Sequence, residues 1–219
     1  MVQCVFSEAP PSGSFPAGIA FFVSLNKGDL GMRNKRVLFL VEIAIFSALA
    51  ILLDIIPFLS FKLWAQGGSV SFAMVPVFII AFRWGVKGGV ATGLLFGIYQ
   101  ILTGAYIMTP LQTFLDYGVA FAVIGFAGVV AKPIWEAIRE NKQKSLIFWV
   151  VIGCFIGSAL RFAGHFIAGI VFYGKFAPEG QPVWLYSLVY NGGYMLPAFI
   201  LSALIVSLLF VQRPKLVLR

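Results

Sequence analysis

RFAGHFIAGIVFYGKFAPEGQPVWLYSLVYNG, residues 161 to 192, holds the one histidine of the chain and joins two apolar runs through a short polar loop. A histidine, several aromatics and a short polar loop concentrated between two apolar runs suggest a site. Stepping by four along the first run, Arg161, His165, Gly169 and Tyr173 fall on one helical face. A charge, an imidazole, a gap and a phenol therefore line a single stripe. The second run opens with Tyr186, Tyr190, Asn191 and Tyr194 before turning aliphatic, so its polar end faces the same loop. A lone histidine on an apolar run is commonly a satisfied packing residue. An ionisable group inside a membrane is costly and marks pathways or sites, so both readings of His165 stand.

Working outward, apolar residues make up 60% of the 219 and charged ones 11%, against roughly half and a quarter in soluble domains. The sequence is that of an all-α integral membrane protein. Apolar runs at about 37 to 59, 69 to 83, 88 to 104, 107 to 131, 145 to 173 and 186 to 212 approach the roughly 20 residues a bilayer core requires. They predict a bundle of six transmembrane helices over 37 to 212, with a flexible tail over 1 to 36 and a basic end over 213 to 219. The second and third runs are short and close together.

The net charge of +8 is not gathered on one polar face, which argues against nucleic acid as a partner. It is sorted by loop instead. Arg33, Lys35 and Arg36 precede the first helix; Arg83 and Lys87 lie in the second connection; Lys132, Arg139, Lys142 and Lys144 lie in the fourth; Arg213, Lys215 and Arg219 close the chain. The opposite loops hold Lys62 and Lys175, so the positive-inside rule places both termini in the cytoplasm. Cys4 and Cys154 make no disulfide framework, no Cys/His metal spacing occurs, and no GxxxxGK[ST] phosphate loop is present. Any use of ATP falls to another polypeptide.

Residues 60 to 69, SFKLWAQGGS, read as an outer loop with Trp64 either in the interfacial belt or over a site. RWGVKGG and GGVATGLLFG read as close helix packing. In GAYIMTPLQTFLDYGVAF, Pro110 sits at a helix start and Gln112, Asp116 and Ala120 step down one face. An Asp at a membrane-helix centre costs roughly 2.5 to 3.5 kcal/mol, so Asp116 requires a partner. Arg161 would make it structural; a bound cation would make it functional. At 1.5 Å rise per residue, Asp116 lies roughly 9 Å below Pro110, His165 roughly 15 Å below Lys175 and Asn191 roughly 14 Å below Pro182. All three fall in the outer half, beneath Tyr106, Trp64, Tyr173, Trp184 and Tyr186. Such a pocket suits a flat, hydrogen-bonding cation, which gains about 2 kcal/mol over a ring when desolvated. Glu42 and Asp54 sit near the two ends of the first run, within reach of interfacial water. Ala44 and Ala48, four apart on that run, form a small-residue face open either to a partner helix or to the bundle.

From the first helix to the last the chain resembles the thiamine-specific S components of energy-coupling factor (ECF) transporters, through GAYIMTPLQTFLDY, HFIAGIVFYGKFAPEG and LYSLVYNG in that order and spacing. The resemblance implies a cell-membrane, multi-pass protein that holds thiamine near the outer face. It implies no cofactor and no enzymatic activity. The acid would be Asp116, followed by Tyr117, with Tyr106 upstream and Gln112 between; His165 and Gly169 match the HFxAG motif; Tyr186 and Asn191 match the start of the last helix. Trp64 corresponds to the family's loop tryptophan. Asp116 stands for a Glu, Phe96 where a Trp can occur, and Tyr173 for a Trp that stacks on the ligand; each change would alter affinity or pose. The partners implied are a transmembrane coupling subunit, contacted through Ala44 and Ala48 with Leu52 replacing a third alanine, and two ABC ATPases. A self-sufficient secondary carrier for a cationic aromatic molecule is the alternative, although such carriers often show two related halves and no internal repeat is visible. With one histidine and no activated nucleophile pair, an intramembrane enzyme has little support.

Overall fold

The computed structural model describes residues 17–64 and 67–218. Two compact units meet between Leu38 and Phe39. Residues 17–38 of the first are helical, and everything below concerns the second, Phe39–Arg219. Helix α1 runs Ala17–Ile55, so the apolar run expected from about 37 lies inside a longer helix. The flexible-tail reading of residues 1 to 16, Cys4 included, lies outside the described residues. Strands β1 (Ser60–Trp64) and β2 (Gly67–Ser71) follow, then helices α2 (Met74–Trp84), α3 (Val86–Gly104), α4 (Pro110–Arg139), α5 (Gln143–Phe172) and α6 (Val183–Gln212).

The fold is an all-α, multi-pass membrane bundle with one small sheet. Among the described residues, five helices are long and apolar enough to cross a bilayer. The sixth, α2, has 11 residues and is buried from Met74 to Phe82, so it fills the bundle and is too short to span alone. The apolar run at 69 to 83 is thus not one helix. Its first residues pair antiparallel with the segment read as an open loop, Ser60 opposite Ser71 and Phe61 opposite Val70. Ser71 then accepts from the Ala73 amide at 3.0 Å and turns the chain into α2.

Helix α4 is composite. Thr109 caps its start by accepting from the Gln112 amide at 3.1 Å, and Pro110 occupies the first turn, where a missing N–H costs nothing. A π-helical turn spans Phe114–Val119 and a 3-10 stretch spans Val123–Val130. Helical structure then continues to Arg139, so Lys132 and Arg139 belong to the helix and not to the connection.

Lipid tails are as apolar as leucine, so close packing must hold the helices together. Glycines supply it along α3 and α4. A methyl group on Gly93 would overlap the Phe121 carbonyl oxygen, and one on Gly97 that of Tyr117. The close packing expected of GGVATGLLFG is therefore the α3–α4 seam, which sets the depth of Tyr117 and its neighbour Asp116. Below it, Phe78, Phe82 and Phe210 form a buried aromatic cluster, Phe78 stacked on Phe82 at 6.2 Å and Phe210 edge-on to Phe82 at 6.0 Å.

At that end of the bundle Glu42 finds a half-buried partner where interfacial water had been expected. Arg83 grips it through Nε at 2.5 Å and Nη2 at 2.7 Å, and Trp84 Nε1 donates to it at 2.6 Å. The Nη1 of Arg83 donates to the carbonyls of Leu216 and Leu218 at 3.0 and 2.7 Å. Val217 between them is fully buried, so the basic end folds back onto the bundle.

Candidate functional site

The sequence dictates a carboxylate one turn below Gln112, and α4 delivers it to a half-enclosed cavity of about 670 Å³. Asp116 is buried, at 5% exposure, and its acceptors are filled by donors from two helices and the start of a loop. Gln112 Nε2 donates to Oδ2 at 2.7 Å and Tyr173 Oη donates to the same oxygen at 3.1 Å. His165 Nδ1 meets Oδ1 at 3.1 Å. On the far side of the ring, Arg161 Nε donates to His165 Nε2 at 3.4 Å. Both contacts are satisfied together when the imidazole proton sits on Nδ1, so the ring relays between guanidinium and carboxylate.

The ion pair between Asp116 and Arg161 considered from the sequence does not form. Arg161 sits one helical turn from His165, which takes the carboxylate itself, and the guanidinium carbon lies 4.4 Å from the Phe121 ring centroid. Its Nη1 points to Met74 Sδ at 2.7 Å. Among the described residues lining the cavity, two carboxylates, Asp54 and Asp116, stand against one guanidinium, Arg161. That leaves one negative charge.

Supporting contacts fix the walls. Gln112 is fully buried; it donates to the Tyr106 carbonyl at 3.1 Å and lies 2.9 Å from Tyr173 Oη. Tyr106 donates its amide to Tyr117 Oη at 3.1 Å. Burial first, and then the nearby Asp116 carboxylate, push the Tyr173 phenol above its ordinary value and keep it a donor. On α6, Asn191 donates to the Ser187 carbonyl at 3.0 Å and accepts from Tyr194 Oη at 2.8 Å. Tyr186, Tyr190 and Tyr194 recur every turn, with centroids 5.7 and 6.1 Å apart, and all line the cavity. Gly169 faces Ser187 so closely that a methyl group there would overlap Oγ.

Residues 40–218 match the family described as Thiamine transporter protein (Thia_YuaJ). The chain belongs to the Thia_YuaJ family. The thiamine transporter ThiT of Bacillus subtilis is 50% identical over 187 residues, covering 84% of this chain and 96% of that protein. ThiT of Lacticaseibacillus paracasei is 30% identical over 188 residues, covering 84% and 92%. A solved structure of ThiT from Listeria monocytogenes superposes with a TM-score of 0.78 at 36% identity, covering 84% of this chain and all of that one.

In this member of the Thia_YuaJ family, eight of the residues picked from the sequence line one cavity: Tyr106, Asp116, Tyr117, His165, Gly169, Tyr173, Tyr186 and Asn191. Gln112 lies behind them, as a brace for Asp116 and Tyr173. Phe96 does not reach the cavity. It is 2% exposed, with Tyr99 and Phe121 at 6.1 and 5.2 Å, because the α3–α4 glycine seam turns that face inward. Trp184, expected at the mouth, is 54% exposed and lies outside the lining. The side chain of Trp64, like Gln66, lies outside the described residues. Asp54, expected to reach interfacial water, is instead bonded to Ser60, Ser71 and Gln100 and lines the cavity, as do Tyr99, Gln100 and Thr103, which were not singled out in the sequence. The i, i+4 spacing of Tyr99 and Thr103 was a usable signal. The partners of Asp54 were not.

Proposed function

We propose that this chain is the thiamine-binding S component of an ECF importer, taking thiamine from the outer face for uptake driven by a transmembrane coupling subunit and two ABC ATPases. One observation carries the reading: a buried carboxylate, Asp116, braced by Gln112, Tyr173 and His165, in a cavity lined by a ladder of tyrosines. Thiamine is a monocation whose aminopyrimidine donates hydrogen bonds and whose thiazolium carries the charge. Asp116 accepts from the aminopyrimidine, and the thiazolium lies against the tyrosine faces. His165 and Asn191 fix the depth of the ligand. Membership in the Thia_YuaJ family and the likeness to proteins named as thiamine transporters support this substrate.

Both termini face the cytoplasm, as the sorting of basic residues requires. Ala44 and Ala48 are exposed on α1 while Ile43, Ser47 and Ala50 are buried. That face is therefore turned away from the bundle, and it is where the coupling subunit docks. Purified protein should bind thiamine tightly and riboflavin or biotin poorly in a direct titration; equal binding of all three would end the assignment. Ala44→Trp with Ala48→Trp should leave that titration unchanged and abolish ATP-dependent uptake in vesicles containing the partner subunits. Uptake without ATPases would instead identify a self-sufficient carrier.

A further inference from the structure

We infer that Asp54 is a positioning residue that fastens the β1–β2 hairpin in place as a wall of the binding cavity and thereby sets how long the ligand stays. Resting on the thiamine-binding reading above, this gives a role to a carboxylate far in sequence from the Asp116 cluster. Asp54 is at the end of α1, one residue before the helix stops at Ile55. Its Oδ1 accepts from Ser60 Oγ at 3.3 Å and from Ser71 Oγ at 3.2 Å. Those serines are paired across the hairpin, first residue of β1 against last residue of β2. Its Oδ2 accepts from Gln100 Nε2 of α3 at 3.0 Å. One carboxylate thus ties both strands to two helices, and Asp54, Ser60 and Gln100 all face the cavity.

The tie matters because a two-stranded hairpin is marginal by itself. Its other anchor is Gly68 on β2, with φ of 78°, whose backbone sits so close to the Tyr194 ring that a methyl group would overlap it. Gly68 and Ser69 also line the cavity. A ligand held between the hairpin and α6 is released faster when this wall loosens, so the strength of the Asp54 tie should appear in the dissociation rate.

The discriminating variants are Asp54→Asn and Asp54→Leu in the full chain. The asparagine oxygen still accepts from both serine hydroxyls, and Gln100, turned over, offers its oxygen to the new amide. The leucine offers nothing. Stopped-flow binding with thiamine should show Asp54→Leu releasing ligand roughly tenfold to a hundredfold faster, with association within about threefold, and Asp54→Asn close to the parent. Ser60→Ala with Ser71→Ala should reproduce the leucine variant and serves in its place if that variant fails to fold. Equal loss in Asp54→Asn and Asp54→Leu would make Asp54 a counter-ion for the ligand and overturn the positioning role. Unchanged dissociation in all variants would overturn it as well. Amide hydrogen exchange in β1 and β2, measured without ligand, should quicken in Asp54→Leu and not in Asp54→Asn. If the parent fails to bind thiamine, the function proposed above fails, and this exchange pattern alone decides the role of Asp54.

Discussion

Besides the exposed Lys142–Glu140 pair, two acid–base pairs lie inside the bundle among the described residues, and they are built to opposite ends. Glu42 and Arg83 form a fork with two short bonds, and the remaining donors of the guanidinium close on the carbonyls of Leu216 and Leu218. Asp116 and His165 share a single 3.1 Å contact, more buried than the first pair and facing a cavity. The first pair spends its geometry on holding helix ends and the chain terminus together. The second leaves its carboxylate braced by a neutral amide, a phenol and a ring, all of which can share it with an incoming donor. Each carboxylate meets three donors; what separates them is that Asp116 borders a cavity and Glu42 does not line it.

The largest effect expected is on the structural pair. Arg83→Ala leaves Glu42 without its fork and releases the tail, and should destabilise the protein by about 3 kcal/mol, the lower end for a buried pair broken on one side. Thermal unfolding in detergent measures it, and thiamine affinity should stay within about twofold. An equal fall in affinity would erase the distinction between the two pairs. Asp116→Asn reverses the pattern: affinity should drop by about tenfold to more than a hundredfold, as for a lost charge-assisted hydrogen bond of roughly 1.5 to 3 kcal/mol, while the melting temperature barely moves. Normal binding by a protein that melts early would move Asp116 into the structural class.

Tyr173→Phe is gentler, because Gln112 and His165 still brace the carboxylate. Thiamine affinity should fall about threefold to tenfold in the same titration. The smallest effect belongs to Phe96→Leu, which should cost about 1 kcal/mol of stability as a core substitution and leave ligand affinity unchanged; weakened binding would restore Phe96 to the site.

How far the sequence was legible depends on the span of the contacts involved. Gln112 with Asp116, and Arg161 with His165, are four residues apart, and helical periodicity alone set them on shared faces. The apolar runs placed the spanning helices for the same reason. Asp54 was opaque because its partners lie 6, 17 and 46 residues away and include two serines that acquire meaning only when the strands pair. Hairpin pairing is itself non-local, so residues 60 to 69 read as an outer loop and most of the second strand falls within the helix expected over 69 to 83. Phe96 turns into the core because backbone contact at Gly93 and Gly97 sets the helix rotation; the glycine spacing signals close packing in the sequence, but not which helix it packs against.

The π turn at Phe114–Val119 carries a further consequence, one of length and not of chemistry. There the Ala120 amide bonds to the Leu115 carbonyl, so the turn holds one residue more than an α-helix would. Removing a residue from an ordinary membrane helix rotates everything beyond the cut by about 100°. Removing one from this turn lets the segment relax into regular α-helix, with the portion from Ala120 onward still seated on the glycine seam. Deleting Gly118 should therefore yield a folded, membrane-inserted protein in which Asp116 points elsewhere: a cavity emptied of its carboxylate by subtraction, with every side chain of the pocket still in the chain.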